Sequence, residues 1–206
     1  MHRSQTTRAN LGEGLLAEIE QLRAGQARHF DAEGFYCIGD AVRFEAPERG
    51  LVFDGRVSED FKLTTGTWVS VGSLRMHAIA ALAPLAQDVV VAGHDRAEVR
   101  LLIFPNIISC CAICPDLPCD ASIKTLLAQH RIRDSVAAAL RTLQHNFPAS
   151  SKHATGAVVL HEPPSIDAGE ITDKGYINQR AVLARRKDCV DALFSTGHPS
   201  LITLTH

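Results

Sequence analysis

Residues 169–186 read Gly169-Glu-Ile-Thr-Asp-Lys174-Gly-Tyr-Ile-Asn-Gln-Arg180-Ala-Val-Leu-Ala-Arg-Arg186. The Thr-Asp-Lys-Gly core is turn chemistry, with polar side chains that bond nearby backbone and a glycine free to take a positive φ. An amphipathic segment follows at once, and the spacing of Leu183, Val190 and Leu193 predicts a helix over 177–194 with these three inward. One lysine therefore sits in a tight polar turn directly before the last helix.

Working upstream, apolar runs and helical spacings alternate. Ala157 to Leu160 predicts a strand, and Ile132, Val136, Leu140, Leu143 and Phe147 mark one face of a helix. Val99 to Phe104 and Val89 to Val91 predict two buried strands separated by a turn at Gly93–Arg96. A helix stopped by Pro84 is expected over Ser73–Ala83, with Ser73 as its cap and Leu74, Ala78 and Leu82 inward. Before it, Phe61–Leu63 and Thr67–Val69 read as a hairpin turning through Thr64-Thr65-Gly66. Short strands are expected at Phe35–Ile38, Ala41–Phe44 and Leu51–Phe53, with a turn at Pro47–Gly50. A helix over Leu11–Arg23, closed by Gly25, comes first. A few strands among helices after Gly66 describe a small α+β domain. The expected boundary falls at Val57–Ser58, giving residues 1–57 as a β-rich tail of a larger domain and residues 58–206 as a complete smaller one.

Composition narrows the function. The chain has 206 residues, 46 % hydrophobic and 21 % charged, the balance of a folded globular protein. Its net charge of −2 gives no electrostatic reason to expect nucleic acid as a partner. The N-terminal residues lack the apolar core of a signal peptide, and the most apolar window, Leu101–Cys114, is too short to span a bilayer. A cytoplasmic location is the expectation. Four of six cysteines cluster at Cys110, Cys111, Cys114 and Cys119. Cys111 and Cys114 have the spacing of half a structural zinc site, but no second pair or close histidine pair completes it. The expectation is reduced thiols and no metal, with a small metal-dependent protein as the rival.

Three side chains stand out for chemistry. Asp40 ends Tyr36-Cys-Ile-Gly-Asp40, where a carboxylate can accept bonds from two adjacent hydroxyls or bond its own backbone turn. Arg56 follows Gly55 at a strand end and carries a fork suited to hydroxyls or phosphate. Lys174 is a mobile charge able to offset negative charge growing on reacting oxygens. Each is equally a surface residue of a turn when taken alone.

Taken in order, they resemble the adenylate-forming family of acyl-CoA synthetases, luciferases and peptide-synthetase adenylation domains. The strings Gly-Phe-Tyr-Cys-Ile-Gly-Asp40, Phe-Asp-Gly55-Arg56 and Thr-Asp-Lys174-Gly are the family's landmarks in the family's order. Glu59-Asp-Phe-Lys-Leu-Thr-Thr-Gly-Thr-Trp-Val69 and Ile166-Asp-Ala-Gly-Glu-Ile-Thr-Asp-Lys-Gly175 are closest to its feruloyl-CoA synthetase branch. The resemblance runs from about Asp31 to Leu193; residues 1–28 do not share it.

The resemblance implies a carboxylic acid, ATP and coenzyme A as substrates, with magnesium on the phosphates. The acid is activated as acyl-AMP, the C-terminal domain rotates, and the thiol of coenzyme A displaces AMP. It implies that Asp40 and Arg56 bind the nucleotide ribose and that Lys174 assists adenylation. Gly66, Thr67 and Trp68 would line the passage of the pantetheine arm, and Ser58 would be the hinge. Two positions depart from the family pattern. Ser58 stands where the hinge carries aspartate or lysine, and Tyr176 stands where a Ser-Gly-Lys signature carries its lysine. No Gly-rich phosphate loop or acid pocket is present, so the implied picture is a C-terminal fragment, inactive alone, whose partner is the missing N-terminal adenylation half. The alternative is a stand-alone, non-catalytic binding or regulatory module with the same fold.

Overall fold

The computed structural model describes Glu33, residues 39–46, Glu48, residues 50–118 and residues 120–204. The helix expected over Leu11–Arg23 and the strand at Phe35–Ile38 lie outside the described residues. The chain divides into two compact units, Met1–Asp40 and Ala41–His206.

Within the second unit, two small hairpins precede a four-stranded sheet. Strands β1 (Asp40–Ala46) and β2 (Gly50–Arg56) pair with each other. Strands β3 (Phe61–Lys62) and β4 (Trp68–Val69) form the second hairpin, antiparallel, with Phe61 opposite Val69. Helix α1 (Val71–Leu82) follows, then β5 (Ala86–Ala92) and β6 (Arg100–Pro105). Three helices, α2 (Ile107–Ala112), α3 (Ile123–Leu127) and α4 (His130–Asn146), lead to β7 (Gly156–Val159). Helices α5 (Gln179–Arg185) and α6 (Lys187–Phe194) and strand β8 (Leu201–Thr203) complete the chain.

The sheet order is β5-β6-β7-β8. Strands β5 and β6 are antiparallel, β6 and β7 parallel, and β7 and β8 antiparallel. A parallel pair needs a long crossover, which α2 to α4 supply. Both faces of the sheet are covered, so its strands read as unbroken apolar runs rather than alternating ones. Val89, Val91, Leu101 and Ile103 pack with Leu74 and Leu82 of α1 and Leu140 and Leu143 of α4. Their neighbours Val90, Leu102 and Phe104 point to the other face, against Val182 of α5 and Leu193 of α6. Leu82, Leu101, Leu140 and Leu193 are each at most 1 % exposed. At roughly 1.5–3 kcal/mol per fully buried side chain, this double layer dominates the stabilisation of the unit.

The outer edge of β5 would template aggregation if its donors were bare. Side chains occupy them instead: Gln179 Oε1 accepts from Val91 N at 3.0 Å, and Asp88 Oδ1 accepts from Val89 N at 2.7 Å.

Two expectations need correction. Helix α1 starts at Val71, with Ser70 in the cap position, so Ser73 lies inside the helix. The first free donor, Val71 N, is met from outside the local sequence by Asp60 Oδ1 at 2.9 Å. The helix expected over 177–194 is two helices that break at Arg186, whose φ and ψ are −98° and 40°. The break lets its guanidinium leave the helical face for partners described below. The cysteine segment, for which no element was expected, contains α2, capped by Asn106 Oδ1 accepting from Ser109 N at 3.2 Å.

Candidate functional site

Arg56 is the last residue of β2, exposed, and without a carboxylate partner among the described residues. The preceding Gly55 has φ +101°, and a Cβ built there would lie 2.7 Å from Gly72 Cα. Only glycine lets β2 approach α1 this closely while delivering Arg56 at its end. The chain then turns through Val57–Glu59, with Glu59 N donating to Arg56 O at 3.0 Å, so Ser58 lies at an exposed turn. Asp40 is exposed at the first residue of β1.

The hairpin tip is built to protrude. Its base is buried through Phe61, Leu63 and Val69, whereas residues 64–68 are all exposed. Leu63 N donates to Thr67 O at 3.0 Å and Gly66 N to Leu63 O at 2.8 Å, closing the turn. The Thr65 and Thr67 hydroxyls are 3.1 Å apart, and Thr64 N donates to Arg96 O at 2.9 Å, tying the tip to the β5–β6 turn. Gly66 has φ +82° and open space around it, so its backbone conformation rather than crowding calls for glycine. Trp68 is 61 % exposed, with Lys62 Nζ 5.0 Å from its ring centre.

Lys174 occupies the tip of a second, smaller protrusion. Ile171 and Ile177 form an antiparallel bridge, Thr172 N donates to Tyr176 O at 2.8 Å, and Gly175 N donates to Thr172 O at 2.8 Å. The Thr172 hydroxyl accepts from Tyr176 N at 3.2 Å, and Gly175 takes φ +80°. The sequence therefore folds here as turn chemistry predicts. Lys174 is exposed and has no carboxylate partner among the described residues. No hydrogen bond or ion pair among the described residues joins Lys174, Arg56 and the Gly66 tip to one another. The turn after β2 and the segment after Lys174 do meet, since Arg180 Nη2 donates to Ser58 O at 3.3 Å.

That contact borders a cavity of about 480 Å³ between the turn after β2, the β5–β6 turn and helices α5 and α6. Its wall combines Phe61, Leu183 and Phe194 with Arg96, Gln179 and Arg180. The Arg96 guanidinium lies 4.8 Å from the Phe194 ring centre.

Solved structures share this fold. The A domain of the carboxylic acid reductase from Segniliparus rugosus, in complex with AMP and a co-purified carboxylic acid, matches with a TM-score of 0.63 and 23 % identity. The match covers 82 % of this chain and 24 % of that one. The adenylation domain of the carboxylate reductase from Mycobacterium chelonae matches with a TM-score of 0.64 and 20 % identity, over 84 % of this chain and 25 % of that one. ATP-bound MatB from Rhodopseudomonas palustris matches with a TM-score of 0.51 and 17 % identity, over 82 % of this chain and 27 % of that one. The fold is that of part of an adenylation domain. This chain spans about a quarter of the length of these structures. No protein-family model and no curated protein matches it.

The structure also reveals charged groups that the sequence reading passed over. Glu170, inside the quoted string, is closed to solvent and paired with Arg186 Nε at 2.7 Å and Nη2 at 2.8 Å. Hydrogen bonds from Arg186 draw its carboxyl down to about 2 from an ordinary 4.5, against the upward push of burial, with Ser165 N and Arg185 adding to the fall. The pair was signalled only by a glutamate and two arginines at ordinary helical and turn positions. In the cysteine segment, burial pushes the Cys110 thiol up to about 11, and the neighbouring Cys111 and Cys114 add to the rise. Cys114 is buried and Cys111 exposed. Among the described residues no group of three or more His, Cys, Asp or Glu side chains stands together as metal ligands. Among the same residues no helix is long and apolar enough to cross a membrane.

Proposed function

We propose that this chain is the C-terminal part of an AMP-forming aryl- or acyl-CoA synthetase of the feruloyl-CoA synthetase type. In this reading residues 58–206 form the mobile domain and Ser58 is the hinge. The acid's carboxylate attacks the α-phosphate of ATP, giving acyl-AMP and pyrophosphate. The thiol of coenzyme A then attacks the acyl carbon and AMP leaves. The observation that carries the reading is Lys174, exposed and free of any described carboxylate on a hydrogen-bonded turn, in a chain with the adenylation-domain fold.

The residues fit the substrates by chemistry. An ammonium on a closed turn, with no carboxylate partner among the described residues, suits the oxygens between carboxylate and α-phosphate, where negative charge grows during adenylation. Arg56 and Asp40 suit ribose hydroxyls, as donor fork and acceptor. The tip at Gly66, Thr67 and Trp68 offers an exposed, polar-and-aromatic edge to a pantetheine arm. Magnesium belongs with the triphosphate in this reading. Phosphate binding needs convergent backbone donors, and a phosphate loop must come from residues or a partner outside this sequence. One hinge then lets the same site serve two steps in turn.

The test uses pyrophosphate exchange. This chain alone is expected to show none with ATP and ferulate, other aromatic acids or fatty acids. Joined to an adenylation half bearing the phosphate loop, it is expected to support exchange and thioester formation. Exchange above background by the chain alone refutes the fragment reading. An adenylation half that forms adenylate equally well without this chain favours the non-catalytic module.

A further inference from the structure

The turn that presents Lys174 is rooted in a closed ion pair beside the apolar layer against which Ile177 packs. Glu170 immediately precedes the Ile171–Ile177 bridge, and its backbone holds both arms of the protrusion: Glu170 N donates to Ser165 O at 3.0 Å and Asn178 N donates to Glu170 O at 2.8 Å. Its carboxylate accepts from Ser165 N at 2.7 Å and from both nitrogens of the Arg186 fork. Arg186 also donates to Glu162 O at 2.9 Å and Pro163 O at 2.8 Å, clasping the irregular segment that enters the loop. Arg185 Nη1 stands 3.2 Å from the same carboxylate. One planar guanidinium at the α5–α6 break thus fixes the start of the loop, its root and the helix that follows it.

We propose that Glu170 and Arg186 are positioning residues for Lys174. This rests on the reading of Lys174 as the adenylation lysine. Three residues and a two-rung ladder separate Glu170 from Lys174, so a tilt at the root is carried to the tip. A buried ion pair is a poor source of net stability compared with apolar packing but fixes one geometry, because any other arrangement strands a charge. Arginine is needed rather than lysine, since only the fork can serve two carboxylate oxygens and two carbonyls together.

The experiment compares Glu170→Gln, Arg186→Lys and Lys174→Ala in two settings. In this chain alone, amide hydrogen exchange at Thr172, Gly175 and Tyr176 should accelerate at least about tenfold in the first two variants through local opening, while Val90, Leu102 and Val158 in the sheet change only by what the loss of global stability in urea unfolding dictates. In the enzyme completed with an adenylation half, the same two variants should lower the rate constant of acyl-adenylate formation by on the order of a hundredfold. Thioester formation from presynthesised acyl-adenylate should stay within about twofold. If Glu170→Gln does not fold, Arg186→Lys, which keeps the charge, carries the comparison. Unchanged exchange at the three turn amides overturns the proposal whatever Lys174 does. Equal loss in both half-reactions overturns it as well, because the pair is then merely structural. Full adenylation activity in Lys174→Ala removes the reading of Lys174 instead, while the hydrogen-exchange arm still decides whether the pair sets the turn.

Discussion

Replacing Gly55 with alanine should destabilise this chain more than any other single methyl added at a turn glycine of the β1–β2 region. Two costs add. A φ of +101° is one that L-residues rarely adopt, and the conformational part alone is roughly 1–2 kcal/mol. The new methyl would also stand 2.7 Å from Gly72 Cα and 3.0 Å from Gly72 N, well inside contact distance. The obstacle is helix backbone, which cannot rotate aside like a side chain, so overpacking adds about 1–3 kcal/mol. Gly50 provides the control, because its φ is +64° and nothing lies within 4 Å of a Cβ there. Gly50→Ala therefore isolates the conformational cost. Urea unfolding of the purified chain, followed by circular dichroism, should show a midpoint lowered by about 1–2 M for Gly55→Ala at a typical slope of ~1–3 kcal/mol per M. Gly50→Ala should lower it by less than half as much. Equal shifts for the two variants would show that β2 does not press on α1, and the account of the Gly-Arg step would fail.

Lys174→Ala in the completed enzyme should reduce adenylate formation by orders of magnitude, a loss of about 3 kcal/mol or more, and spare thioester formation from acyl-adenylate. Rates unchanged in both steps remove Lys174 from the site. Glu170 should make stability pH-dependent: its folded pKa lies near 2, below the unfolded 4.5, so its contribution is complete above about pH 5 and disappears as pH falls toward 2. The gap between the native chain and Glu170→Gln in urea unfolding should thus be roughly 3 kcal/mol at pH 7 and close progressively below pH 4.5; a gap that stays constant down to pH 2.5 contradicts the pairing. Among Cys110, Cys111 and Cys114, iodoacetamide at pH 8 should label the exposed Cys111 first, and Cys110, buried and raised to about 11, last. Stoichiometric zinc that is lost on Cys111→Ser would overturn the expectation of free thiols.

What the sequence by itself determined is whatever follows from burial pattern and turn chemistry. The apolar runs around Val90, Leu102 and Val158, the helical stripe from Ile132 to Leu143, and the turns at Gly66 and Lys174 are all local statements, and each is found in the structure. Apolar side chains gain by leaving water whatever partner they meet, so their spacing reports an element without reporting its neighbours. The order of the polar strings likewise pointed to the adenylation fold. Only the tertiary structure decided which polar groups meet. Asp60 caps α1 across 11 residues, Gln179 closes the edge of β5 across 88, and Arg186 leaves its helix for Glu170 across 16. It also decided that β6 and β7 run parallel and that β8 closes the sheet. Hydrogen bonds and ion pairs depend on distance and direction, and two residues far apart in the chain acquire both only when the packed layers bring them together.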